Sequence, residues 1–244
     1  RAWPCACRRE QPLRAPGIRR RPSISAITVF RPGKMQLLII GASKGIGRET
    51  VRLALQAGHG VRAFARSTPG IEPPDPRYEP RRGDALDAGA VADALVGMDA
   101  VIQTLGVPVR ELLRPVHLFS DATRILVQAM QAKGPRRLIS VTGFGAGSSR
   151  ASIPCVQRLP FELLLGRAYR DKSVQEGLIE QSGLDWTIAR PGVLTDGPRR
   201  GRYRVLAGPA QWRNGWIARA DVADFLVRQL EDRSCLRQAP VLVD

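Results

Sequence analysis

Residues 41–47 read Gly41, Ala42, Ser43, Lys44, Gly45, Ile46, Gly47, directly after the apolar run Leu37, Leu38, Ile39 and Ile40. A helical pattern follows. Strand, tight glycine turn and helix N-terminus in that order make an anion site. First-turn N–H groups lack intrahelical partners, and the helix dipole favours negative charge. A dinucleotide pyrophosphate suits such a site. The spacing is G-x-x-x-G-x-G rather than G-x-G-x-x-G, which points to one branch of dinucleotide-binding proteins. A turn that merely packs a strand on a helix has the same glycines, so the other strand ends must decide.

The second predicted strand ends in Arg66 and Ser67, with Arg66 lying 19 residues after Gly47. NAD-binding chains place a carboxylate near there for the ribose 2′-hydroxyl. A guanidinium suits a 2′-phosphate instead, so the expected cofactor is NADP(H) in preference to NAD(H). Lys44 and Arg62 are candidates for added positive charge. The competing reading is a solvated arginine in an arginine-rich chain. After the third strand, Asp84 is placed either to accept from an adenine amino group or to cap the helix opening near Asp87. Leu105 and Gly106 follow the fourth strand, where a glycine lets a cofactor approach the backbone. Thr142 ends the fifth, with a hydroxyl for substrate or nicotinamide; a β-branched strand residue is the plainer reading.

These residues need elements to hold them. Strands are predicted at 36–40, 61–65, 78–82, 100–104, 137–141, 186–190 and 240–243, and helices at 45–57, 87–96, 117–133, 161–181 and 221–231. Pro80 places the third strand at or near a sheet edge. The alternation predicts an α/β fold: a Rossmann-type, doubly wound parallel sheet with helices on both faces. Residues 35–244 form that domain, with a small C-terminal substrate region.

The chain has 244 residues and a net charge of +16. Residues 1–34 hold nine of its 38 Lys/Arg and one acid, Glu10, so half the excess sits in a seventh of the chain. This Arg/Pro-rich leader has no helical period and is expected to be disordered. Met35 precedes the first strand and reads as the natural start; an Arg-rich targeting peptide is the alternative. The remaining charge lacks the aromatic interleaving that stacks bases, so no nucleic-acid partner is expected. No apolar run is long enough to span a membrane. The four cysteines have no framework spacing, and no metal site is expected. A reducing, cytoplasmic setting follows. His59 reads as a turn residue, and His117 as a helix-start surface residue or a cleft residue.

Gly41–Gly47, Gly83-Asp84, Arg137–Thr142, Lys172 with Glu176, Ser182–Gly192 (SGLDWTIARPG) and Ile217–Ala223 (IARADVA) together span roughly residues 35–230. In these residues the chain resembles atypical short-chain dehydrogenase/reductases. Within them it is similar to the NAD(P)H-binding group that includes NmrA-like proteins and flavin/biliverdin reductases. The resemblance implies a Rossmann fold. It also implies that Pro191, Gly192 and Val193 form the loop passing the nicotinamide carboxamide, and that Lys172 contacts the cofactor ribose or a phosphate.

One departure bears on catalysis. The usual pair in the superfamily is Tyr-x-x-x-Lys, with tyrosine as general acid/base. Here Tyr169 and Lys172 are three apart, and Ala168 stands four before the lysine. Four residues advance a helix about 400°, three about 300°, so this pair borders one cleft in a different geometry. Thr142, Tyr169 and Lys172 are the catalytic candidates. Substrate-cleft elements are expected at 144–168 and 194–216, the second holding Tyr203, Trp212, Trp216 and five arginines. That composition suits a planar, anionic or quinone-like molecule. The plainer reading is a loop with a hairpin packing on the sheet.

The expected function is an NADP(H)-dependent oxidoreductase passing hydride to or from a small carbonyl, quinone or flavin-like acceptor. A non-catalytic NADP(H) sensor or assembly protein of the NmrA-like type is the alternative. A nucleotide-sugar epimerase relative fits least, since those retain Tyr-x-x-x-Lys. The partner is a small-molecule substrate, and monomer and dimer are both compatible with the sequence.

Overall fold

The run Leu37–Ile40 is apolar without alternation because both faces of its strand are covered. In a computed structural model, β1 (Gln36–Ile40) sends Leu37 and Ile39 to one core cluster with Val51 and Phe225. It sends Leu38 and Ile40 to another with Leu126 and Ile188. A strand's side chains alternate between faces, so two covered faces need an unbroken apolar run. The structure describes residues 34–68, 70–71, 73–107 and 117–244. The expectations for the leader, Lys34 apart, lie outside them.

The main sheet has eight strands. β2 (Gly60–Ala65), β3 (Tyr78–Arg82), β4 (Ala100–Gln103), β5 (Arg137–Val141) and β6 (Asp185–Pro191) join β1 in the order β3-β2-β1-β4-β5-β6, all parallel. β3 is the edge strand expected from Pro80. Beyond β6 come β10 (Val241–Val243), parallel to it, and β8 (Arg204–Leu206), antiparallel. A separate parallel pair joins β7 (Val193–Thr195) to β9 (Trp216–Ala218). One face is covered by α1 (Gly45–Gln56) and α5 (Arg219–Arg228). The other is covered by α2 (Ala88–Leu95), α3 (Leu118–Lys133) and α4 (Cys155–Glu180). This is the Rossmann-type fold expected.

α4 starts six residues earlier than 161, although Pro160 reads as a breaker in sequence. Two neighbours fix how α3 and α4 meet. Phe119 N–H and Ser120 N–H donate to Asp171 of α4 at 2.8 and 3.3 Å. That carboxylate caps α3, whose own N-cap residue His117 makes no side-chain cap bond. His59 is in the expected turn but buried, its Nδ1 accepting from Met35 N–H at 3.2 Å. Burial lowers its pKa, and nearby Lys34 adds to that. Among the described residues no helix is long and apolar enough to cross a membrane.

Candidate cofactor cleft

The strand order reverses between β1 and β4, and ligands of open parallel sheets lie there, outside the strands' carboxyl ends. A cleft of about 740 Å³ opens at that point. Gly41, Ser43, Lys44, Gly45 and Ile46 form its floor. Gly41 takes φ +87°, and a Cβ there would stand 2.8 Å from Thr104 O. Gly47 does not line the cleft; it sits so close to Gly41 O that a side chain would collide with that backbone. Ala42 is buried beneath. Thr104 Oγ1 ties the turn to β4, donating to Ile40 O at 3.0 Å. Lys44, the N-cap residue of α1, makes no side-chain cap bond, and no acid lies in the helix's first turn. These orphan N–H donors fit a diphosphate.

At the end of the cleft beside β2 and β3, Arg66, Ser67, Asp84 and Leu86 line it. Arg66 forms no ion pair with an acid among the described residues. Arg62 is used elsewhere: it pairs with Glu79 at 2.9 Å and donates to Ala94 O and Val96 O. It lies four residues before Arg66, about 13 Å back along the strand, far from the ligand edge. The expectation that it adds charge to the cofactor site is therefore corrected. Asp87 caps α2, accepting from Gly89 N–H and Ala90 N–H. Asp84 accepts from Leu86 N–H at 3.0 Å, so of its two readings the helix cap falls away.

The other end is mostly apolar. Leu105, Gly106, Val107, Leu118, Phe119, Leu165, Ala168, Pro191 and Leu194 line it. A Cβ on Gly106 would meet nothing, leaving room beside the backbone. Tyr169 and Lys172 both border this space, as the helix arithmetic expects. Lys172 Nζ donates to Thr142 O at 2.5 Å and stands 5.1 Å from the Phe119 ring centroid and 5.2 Å from that of Tyr169. Burial lowers its pKa to about 8, against the upward pull of Glu176. Burial raises the Tyr169 phenol to about 12. The Tyr169 hydroxyl lies 2.7 Å from where a Cβ on Gly143 would stand, so that glycine makes its room.

Thr142 lines the cleft, but its hydroxyl donates to Glu176 at 2.6 Å, inside the protein. Glu176 also takes a two-point ion pair from Arg190 at 3.0 and 2.7 Å, both side chains almost fully buried. Of the expected nicotinamide loop only Pro191 lines the cleft. Gly192 N–H and Val193 N–H donate to Leu242 O and Gly215 O, because the chain continues into β7 instead of looping. Of 144–168 and 194–216, the described lining residues are Leu165, Ala168 and Leu194. Tyr203 donates to Asp224, Trp212 stacks on Arg190, and β8 packs on the sheet edge against β10; the hairpin of the plainer reading does not form, since β7 pairs in parallel with β9.

Lining residues that sequence reasoning did not single out include Leu86, Phe119 and Arg219. Arg219 fell outside the predicted helix, which began at 221; in the structure it opens α5, where the dipole disfavours a cation.

The chain is 34% identical over 172 residues to sterol demethylase protein B of Methylococcus capsulatus. That covers 66% of this chain and 52% of the relative, so the chain spans about half its length. It is 26% identical to the uncharacterized sugar epimerase YhfK of Bacillus subtilis, over 84% of this chain and 92% of that one. The solved structure of ChuY, an anaerobillin reductase from Escherichia coli O157:H7, matches with a TM-score of 0.69 at 27% identity. The match covers 85% of this chain and 96% of ChuY. A short-chain dehydrogenase/reductase from Veillonella parvula in complex with NADP shares the fold, with a TM-score of 0.72 at 17% identity over 86% and 94% of the two chains. The family model described as NAD(P)H-binding matches residues 41–233, and with the glycine turn at the switch point the chain belongs to that NAD(P)H-binding family.

Proposed function

We propose that the protein is an NADP(H)-dependent oxidoreductase acting on a flat, conjugated carbonyl, quinone or flavin-like acceptor. The observation that carries the cofactor choice is Arg66, lining the cleft at the end of β2 where NAD-binding chains hold an acid. The turn at Gly41–Gly47 holds the diphosphate, Asp84 and Leu86 take the adenine, and Arg66 with Lys44 takes the 2′-phosphate. The nicotinamide, when bound, supplies or receives the hydride. Phe119, Leu165, Ala168 and Leu194 keep water from the reacting face. Lys172, anchored on Thr142 O, presents its ammonium protons to the ribose and to the acceptor oxygen. The likeness to an anaerobillin reductase supports a large conjugated acceptor over a small aldehyde.

NADPH oxidation assayed against quinones, flavins, anaerobillin and aldehydes tests this reading. Turnover on a conjugated acceptor is expected. Tight NADPH binding without turnover on any of them favours the second reading, a non-catalytic NADP(H) sensor or assembly protein of the NmrA-like type. Ala168, buried where the superfamily's tyrosine stands, is the observation behind that alternative. For cofactor choice, Arg66→Glu should raise the Kd for NADPH about 100-fold while that for NADH moves only a few fold. Equal weakening of both, measured by titration of nucleotide fluorescence, sinks the 2′-phosphate assignment.

A further inference from the structure

Arg219 and Asp196 are brought together by the two-stranded sheet of β7 and β9. β7 and β9 run parallel with Thr195 opposite Ala218, so the next residue of each chain segment, Asp196 and Arg219, emerges beside the other. Their side chains form an ion pair. Asp196 is 90% exposed and Arg219 31%, so water competes strongly for the acid. The arginine has a second environment. It lines the cofactor cleft, and its Cδ and Nε lie 3.7 and 3.8 Å from where a Cβ on Gly45 would stand. The guanidinium stem therefore lies over the glycine turn, across from the orphan first-turn N–H groups of α1.

The position is electrostatically wrong for its own helix. Arg219 is the first residue of α5, where the dipole favours an anion and disfavours a cation. Helix stability does not explain an arginine there; a nearby anion does. Asp196 supplies only part of one, as an exposed pair of little strength. A diphosphate on the Gly41–Gly47 turn would bring a stronger one, with oxygens suited to a planar guanidinium.

We propose that Arg219 is a second wall of the cofactor's diphosphate site and that Asp196 is its built-in competitor. The arginine leaves the acid for the diphosphate when the dinucleotide binds. Because Asp221 holds Arg200 N–H and Gly201 N–H at 2.8 Å each, the segment beyond Asp196 stays pinned during this exchange. The acid thus sets affinity without shaping the cleft. This inference rests on the dinucleotide reading of the cleft but not on the choice of NADP(H) over NAD(H), since both carry the same diphosphate.

The test is equilibrium binding of NADPH, NADH and adenosine 2′-monophosphate, which has no diphosphate, to the full chain. Arg219→Gln is expected to weaken both dinucleotides by the same factor, about 10- to 100-fold, and to leave adenosine 2′-monophosphate unchanged. Arg219→Lys should recover part of the loss. Asp196→Asn should tighten both dinucleotides about two- to fivefold. Unchanged dinucleotide affinity in Arg219→Gln, or equal weakening of adenosine 2′-monophosphate, overturns the assignment. Weaker binding in Asp196→Asn overturns the competitor role. A wild-type chain that binds neither dinucleotide removes the cofactor reading itself, an outcome distinct from these.

Discussion

Glu176→Gln is expected to cost about 3–5 kcal/mol of folding stability, far more than a typical point substitution. The amide keeps the shape but removes the charge that Arg190 needs. Arg190 is 1% exposed, and its remaining partners are Ser148 Oγ, Ala239 O and the ring of Trp212, none of them charged. Glu180 acts on Arg190 without a direct bond, so the buried guanidinium would have lost its solvent with little compensation. The urea midpoint reads the loss. The double variant Glu176→Leu with Arg190→Met should recover most of it, because apolar groups of similar volume replace a buried pair at little net cost. A single variant within 1 kcal/mol of wild type would show that the pair is not what holds β6 to α4.

That pair also shows which parts of the sequence were readable, and why. SGLDWTIARPG is among the most specific family stretches in the chain, and nearly every residue of it works on the fold. Gly183 takes φ +67°, Trp186 and Ile188 enter the core, Thr187 donates to Cys235 O, and Arg190 reaches Glu176. Of that stretch only Pro191 lines the cleft. The strands were legible because burial on both faces leaves unbroken apolar runs such as Leu37–Ile40. The floor of the cleft was legible because Gly41 and Gly47 each face backbone too close for a side chain. What stayed hidden depends on contacts between distant segments. Asp171 caps a helix through N–H groups 52 and 51 residues earlier. Arg219 meets Asp196 only because two three-residue strands pair, and strands that short carry no readable pattern. Thr142 looks the same in sequence whether its hydroxyl faces the cleft or Glu176.

Lys172→Met is expected to lower kcat/KM for NADPH about 100-fold with a conjugated acceptor, the lower end of what a positioned proton donor contributes. Ala168 leaves no hydroxyl at the superfamily's usual position. Of the two candidates bordering the apolar end, Tyr169 is pushed up to about 12, and it holds its proton throughout the working range. Lys172 is brought down to about 8 by burial, with Glu176 opposing. The active form is the ammonium, so the sign is fixed: kcat/KM is level below about pH 8 and falls as pH rises through it. That ratio reports the free enzyme, where the lysine sees no cofactor charge. Lys172→Arg keeps the charge at every pH used and should abolish the fall while retaining part of the rate. Tyr169→Phe should leave the fall in place, since its proton is not the one being lost. A wild-type profile flat to pH 10, or a fall that persists in Lys172→Arg, would take the proton away from Lys172 and leave the lysine as a binding contact for the ribose.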